Sequence, residues 1–246
     1  MNQHRQADTA IGDYAAIVGI NTAQGVPVIV GGQAANVWAI FYLSRIGTRL
    51  ARFRPFTSKD LDLAGDRVLL EHIQRITVGT IHYSGPRTPV IGYVETLIGE
   101  TNRKIEVLRD VNGLQRGELA DAVDVIVDGI PVRVLAPIKV LKAKICNTAT
   151  LDQEDRNDVN HVRIMIECVR EFLRDILTEV IAERATQRDA VNLLEELREI
   201  VISPMAKRSA TMWGLDFTSV WPTADLAASG MQKIQRFVQH RLNPTF

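Results

Sequence analysis

Two stretches decide the fold: Val28-Ile29-Val30-Gly31-Gly32 and Asp60-Leu61-Asp62-Leu63. The β-branched run 28–30 is too short for a buried helix and suits a central strand. The glycine pair breaks it, and residues 34–44 then read as a helix offering Val37, Trp38, Phe41 and Tyr42 for packing. In the second stretch acid and leucine alternate strictly. A strand of that pattern carries Asp60 and Asp62 on one face and both leucines on the other.

Working outward, residues 10–23 read as a helix stopped by Gly25 and Pro27. Residues 45–59 hold Arg45, Arg49, Arg52, Arg54 and Lys59 without an acid, and end loop-like at Pro55, Thr57 and Ser58. Residues 66–76 read as a short helix. Strand-like runs follow at 78–83, 89–98 and 104–108, the last alternating as Lys104-Ile105-Glu106-Val107-Leu108. Asp128-Gly129 between the runs 125–127 and 131–135 predicts a hairpin with a type I′ turn. From Pro137, which suits the first turn of a helix, the character changes. Helices are expected at 137–148, 159–181 and 185–202, an irregular stretch at 203–222, and a last helix at 223–240. The expected plan is α+β: a mixed sheet with flanking helices over residues 1–136, then a helical C-terminal half over 137–246.

Composition constrains the class. At 46% hydrophobic and 24% charged residues, the 246-residue chain can bury a core and is not disordered as a whole. Lys plus Arg equals Asp plus Glu at 29 each, which excludes a uniformly basic surface. The balance is a cancellation, however. The basic stretch 45–59 is set against an acid excess in 150–200, so the stretch offers itself to a triphosphate or a polyanionic acceptor. The uncharged run 14–44 is too interrupted by polar residues, Gly and Pro for a membrane span, and MNQHRQADTA has no apolar segment of a signal peptide. Cys146 and Cys168 lack metal-type spacing and read as buried thiols in a reducing cytosol. A cytoplasmic protein without membrane association is expected.

The chemistry lies in three pieces taken together. A strand running through Gly31-Gly32 into a helix lets the backbone approach an anion at a helix N-terminus. Two carboxylates on one strand face suit a hard divalent cation such as Mg²⁺. A third carboxylate on a neighbouring strand would complete a two-metal site for in-line displacement. Glu106 is preferred for that place because aliphatic residues enclose it, with Glu95 as the rival.

In this order the pieces resemble the nucleotidyltransferase superfamily built on a polymerase-beta-like core: Gly31-Gly32, then Asp60-Leu61-Asp62, then Glu106. The stretch Arg54–Lys59, a helical Lys144 and the segment Arg156–His161 look similar to the AbiEii-like abortive-infection toxin branch, over about residues 26–166. The chain departs from that branch at Asn157, where lysine is common, and at His161, where aspartate is common. The gap from Gly32 to Asp60 is also longer than in minimal members. The resemblance implies a nucleotidyltransferase-like fold. It also implies transfer of a nucleoside monophosphate from an NTP to an acceptor that is RNA, a protein hydroxyl or a small molecule. By that resemblance Asp60, Asp62 and Glu106 hold Mg²⁺ (or Mn²⁺) and carry catalysis. Gly31 and Gly32 approach the phosphates, with Ser58, Lys59 and Lys144 as further nucleotide contacts. Asp158 would partner Lys144. The branch leaves room for a cognate antitoxin. Two other readings stay open: a non-catalytic nucleotide- or partner-binding module retaining the fold, and an aminoglycoside-type small-molecule nucleotidylating enzyme. His72, His82 and His161 read as exposed or satisfied histidines, Ser84-Gly85 as a turn, and Trp213 and Trp221 as packing residues.

Overall fold

The computed structural model describes residues 10–20 and 25–242; the segments 1–9, 21–24 and 243–246 lie outside it, and with them the end of the expected helix 10–23 and most of the N-terminal stretch. The chain opens with a 3₁₀ turn Ile11–Tyr14 and a short helix α1 (Ala15–Val18). Next come β1 (Val28–Ile29), α2 (Gly31–Leu50), β2 (Asp60–Ala64) and α3 (Arg67–Thr77). Then follow β3 (Thr80–Tyr83), β4 (Val90–Ile98), β5 (Thr101–Leu108), β6 (Ala122–Val127) and β7 (Ile130–Leu135). Helices complete the chain: α4 (Pro137–Thr150), α5 (Asp158–Ile181), α6 (Gln187–Ile202), α7 (Pro204–Trp213), α8 (Thr223–Ala228) and α9 (Gln232–Phe237). The expected class is observed: a mixed sheet with flanking helices, followed by a helical C-terminal half.

The seven strands form one sheet in the order β3-β4-β5-β2-β1-β7-β6. β2 lies at the centre, parallel to β5 and antiparallel to β1. Its alternation works as the pattern requires: Leu61 and Leu63 are fully buried, as are Ile105 and Val107 beside them on β5. The polar residues therefore share the opposite face, in the register Asp60–Lys104 and Asp62–Glu106. The hairpin turn has positive φ at both Asp128 and Gly129, as a type I′ turn demands.

Three expectations change. First, α2 runs past residue 44 to Leu50, bends at Ile46, and continues as a 3₁₀ turn Ala51–Phe53. The basic stretch is thus largely helical, and three of its five charges are taken up by α5. Arg45 pairs with Asp175, Arg49 reaches Glu167 at 3.3 Å, and Arg52 reaches Glu167 at 3.5 Å. Second, residues 204–213 are helical rather than irregular. Ser203 caps the Ala206 N–H, Pro204 fills the first turn, and Gly214 closes the helix with φ 61°. Third, the last helix is broken near Gly230 (φ 70°) into α8 and α9. Of the two thiols, Cys168 is buried and Cys146 only half-buried; both are free. Trp221 packs on Phe237, and Trp213 donates to the Thr148 carbonyl at 3.0 Å.

One buried core runs from the sheet into the helical half without interruption. A polar clamp also joins them. Lys139 on α4 reaches Glu118 and Asp121, from the loop before β6, at 2.9 and 3.1 Å, and Glu196 on α6 at 2.5 Å. Burial would raise the Glu118 carboxyl, but the Gln115 N–H with Lys142 and Lys139 lowers it from 4.5 to about 2. A group held below its unfolded value adds stability above that value. This contribution is present above pH 4.5 and is lost as pH falls through about 2. Glu118→Gln should therefore flatten the fall of melting temperature over that acid range. Leu61→Ala, in the fully buried face of β2, should cost roughly 2–5 kcal/mol in denaturant unfolding.

Candidate active site

The site is assembled where β1 ends against β2. Val30 N–H donates to the Asp62 carbonyl at 2.9 Å, and the chain turns at Gly31 (φ 65°) straight into α2. A side chain at Gly31 would overlap Asp62: a Cβ there would stand 1.8 Å from Oδ2. Left-handed φ and absence of Cβ are both needed, and only glycine supplies both cheaply. The Gly32 N–H then donates to the Asp62 carboxylate. The space a Gly32 side chain would fill is taken by Ser58 Oγ, 2.7 Å from the Cβ position, with His161 Cε1 at 3.1 Å.

A cleft of about 600 Å³ opens here. Its walls include Gly32, Ser58, Lys59, Asp60, Asp62, Glu106 and Lys144, together with Arg156, Asp158 and His161 from the start of α5 and the loop before it. Gly31 lies behind Asp62. The rival Glu95 is elsewhere, largely exposed on β4 with His82 at 3.5 Å.

Electrostatics set the character of this cleft. Burial, then the nearby Glu106 charge, pushes the Asp62 carboxyl up to about 7. Burial also raises Asp60, partly countered by Lys104, and its Oδ1 has no hydrogen-bond partner. Glu106 forms an ion pair with Lys104, its neighbour-but-one on β5. Lys104 escaped the sequence reading, although alternation alone puts it on the face of Glu106.

The three carboxylates do not gather as a closed cage. Among the described residues no group of three or more His, Cys, Asp or Glu side chains is disposed to hold a metal ion. Glu106 is engaged by Lys104. What remains on the β2 face is a pair of carboxyls raised by burial, one with an orphaned oxygen. That donor set fits a Mg²⁺ ion held by two carboxylates and completed by substrate phosphates.

Lys144 is likewise committed. It is 4% exposed, and its Nζ lies 2.6 Å from Asp158 Oδ1, while Arg156 Nε lies 2.6 Å from Oδ2. Burial would raise Asp158, but His161, Lys144 and Arg156 around it hold it well below the usual carboxylate range. The Lys144–Asp158 contact expected from the sequence is present. A direct phosphate contact by Lys144 would have to compete with it. Lys59 donates to the Asp155 carbonyl at 3.1 Å at the rim. His161 is neither exposed nor satisfied: it is 4% exposed, and neither ring nitrogen has a hydrogen-bond partner. Burial, outweighing the pull of the nearby Asp158, lowers its pKa to about 4.

No family model matches the chain, and no curated protein does. Among solved structures, an antigenic nucleotidyltransferase-like protein from Paracoccidioides brasiliensis aligns with a TM-score of 0.41 and 14% identity, over 65% of this chain and 78% of its own. Among the described residues, no helix is long and apolar enough to cross a membrane.

Gly31→Ala should destabilise the chain by more than about 1 kcal/mol, because it adds a clash to an unfavourable φ. Urea unfolding of this variant beside Gly12→Ala, where an added Cβ meets nothing within 4 Å, separates the local effect from loss of glycine as such.

Proposed function

We propose that this protein is a metal-dependent nucleotidyltransferase that moves a nucleoside monophosphate from an NTP to an acceptor nucleophile. The observation that carries the reading is the seating of a strand-ending Gly31 on the Asp62 carboxylate. Asp60 stands on the same strand face, and a helix N-terminus opens on the same cleft. In this reading Asp60 and Asp62 hold Mg²⁺ or Mn²⁺ together with phosphate oxygens of the substrate. A divalent ion bound there supplies neutralisation of the triphosphate charge and acidifies the acceptor hydroxyl. Gly31 and Gly32 keep the strand end free of side chains, so that the triphosphate can lie close to the backbone. Glu106, opposite Asp62, takes the proton released by the acceptor oxygen as that oxygen bonds to the α-phosphorus. The bond from the α-phosphorus to the bridging oxygen breaks, and pyrophosphate leaves with the electron pair. Lys104 shares Glu106 and steadies its charge before the proton arrives.

The AbiEii-like resemblance adds a finer proposal. The acceptor is RNA or a protein hydroxyl, and the activity is that of a cytoplasmic toxin restrained by a cognate antitoxin. A second reading has its own support. Glu106 is bound by Lys104 and Lys144 by Asp158, an arrangement that also suits a nucleotide-binding module without turnover.

Incubation with Mg²⁺ and each labelled triphosphate in a cell extract tests the proposal. Label transfer or pyrophosphate release should fall roughly a hundredfold or more in Asp60→Asn and Asp62→Asn, as when a key charge-stabilising group is removed. Transfer that survives the double substitution refutes the carboxylate assignment. Nucleotide binding without transfer to any acceptor selects the binding module.

A further inference from the structure

A buried polar group without a partner costs more than a hydrogen bond returns, so each such group in a folded protein asks for an explanation. His161 is one of these. Its ring lines the cleft, is 4% exposed, and has no partner at either nitrogen. Nδ1 stands 4.0 Å from Asp158 Oδ1, beyond hydrogen-bond length, so the carboxylate acts on the ring through its charge and does not satisfy it. Asp158 is already satisfied by Lys144 and Arg156 at 2.6 Å each. The other end of the ring, at Cε1, lies over Gly32 in the first turn of α2, beside the Ser58 hydroxyl. A half-turn of the imidazole exchanges Cε1 with Nε2 at constant shape. That places an N–H donor against the start of α2, at the cost only of the long Nδ1–Asp158 contact.

We infer that His161 is a phosphate-binding residue, donating its imidazole N–H, alongside the Ser58 hydroxyl, to the terminal phosphoryl oxygens of a triphosphate seated at the N-terminus of α2. The inference rests on the nucleotide reading above and names a contact which that reading leaves unassigned. Three observations converge on it. The helix start favours an anion at this point. The orphaned imidazole has a hydrogen to give. Lys144 and Arg156, the charged groups that would otherwise serve, are engaged by Asp158. The seat therefore grips phosphate with neutral donors, while the charge of the substrate is met on the opposite wall by what Asp60 and Asp62 hold. A side chain at position 32 would occupy this space, which explains why the residue before Gln33 is glycine.

Equilibrium binding to the full chain tests the assignment, using magnesium salts of the four ribonucleoside triphosphates and of tripolyphosphate as probes. His161→Leu keeps the bulk and removes the donor; His161→Asn restores an N–H. We expect His161→Leu to weaken the bound triphosphate and tripolyphosphate roughly tenfold, the effect of losing one hydrogen bond to a charged group. His161→Asn should recover most of that loss. The melting temperature of His161→Leu should equal or exceed that of the wild type, because an unsatisfied group has been removed, whereas loss of a purely structural histidine would lower it. If the wild type binds a triphosphate and His161→Leu binds it equally well, the His161 assignment falls and the nucleotide reading stands. Equal weakening in the Leu and Asn variants also overturns it. A wild type that binds none of the probes overturns both.

Discussion

The cleft depends on one steric constraint: the backbone at Gly31 lies where only a hydrogen fits, against the Asp62 carboxylate. Pairing of Val30 with Asp62 brings the end of β1 there, and the positive φ of Gly31 turns the chain at once into α2. The direction of α2 is fixed by that single residue. Since α2 packs across the sheet and against α5, the placement of the helical half follows from the same point. A larger residue at 31 would push strand and helix apart, and the Gly32 amide would leave the carboxylate it now holds.

A second constraint is the crowding of like charge on the polar face of β2 and β5. Asp62 sits directly across from Glu106, an arrangement that costs stability in an ordinary sheet. The fold tempers it with Lys104 and by raising the Asp60 and Asp62 carboxyls rather than by removing the acids. A structural sheet would not be expected to keep such a face, and its tension is the physical argument for a site. The basic stretch that precedes β2 does not share in this. Arg45, Arg49 and Arg52 answer acids of α5, so most of the apparent charge asymmetry of the sequence is spent internally.

What could be read from the sequence was whatever is local and periodic. The Asp-Leu-Asp-Leu alternation placed four side chains correctly, and Asp128-Gly129 specified its turn. The long helix from about residue 159 was visible as an amphipathic stripe. The helix at 204–213 was missed although Ser203, Pro204 and Gly214 are its start and stop signals, because its apolar stripe spans only ten residues. Long-range pairings were not legible. Nothing in the local pattern says that Arg49 belongs to Glu167, or that Lys104 pairs with Glu106 beside the aspartates. The same holds for His161. The sequence reads it as a satisfied histidine; the Lys144–Asp158 pair is expected, but only the folded chain shows that Arg156 takes the second Asp158 oxygen and that both ring nitrogens of His161 lack a hydrogen bond.

The stapling of α2 to α5 has a mechanical consequence. Each helix carries a wall of the cleft on its first turns, Gly32 on one, Asp158 and His161 on the other. Elsewhere the two are bolted together by Trp38 against Phe172 and by Tyr42 donating to Asp175 at 2.9 Å. Close-packed interiors transmit displacement instead of absorbing it. Aromatic packing that touches neither Gly32 nor His161 therefore helps to hold the aperture between them. A change at Trp38 or Phe172 would retune the cleft from a distance, as a screw at the pivot sets the gap between two jaws.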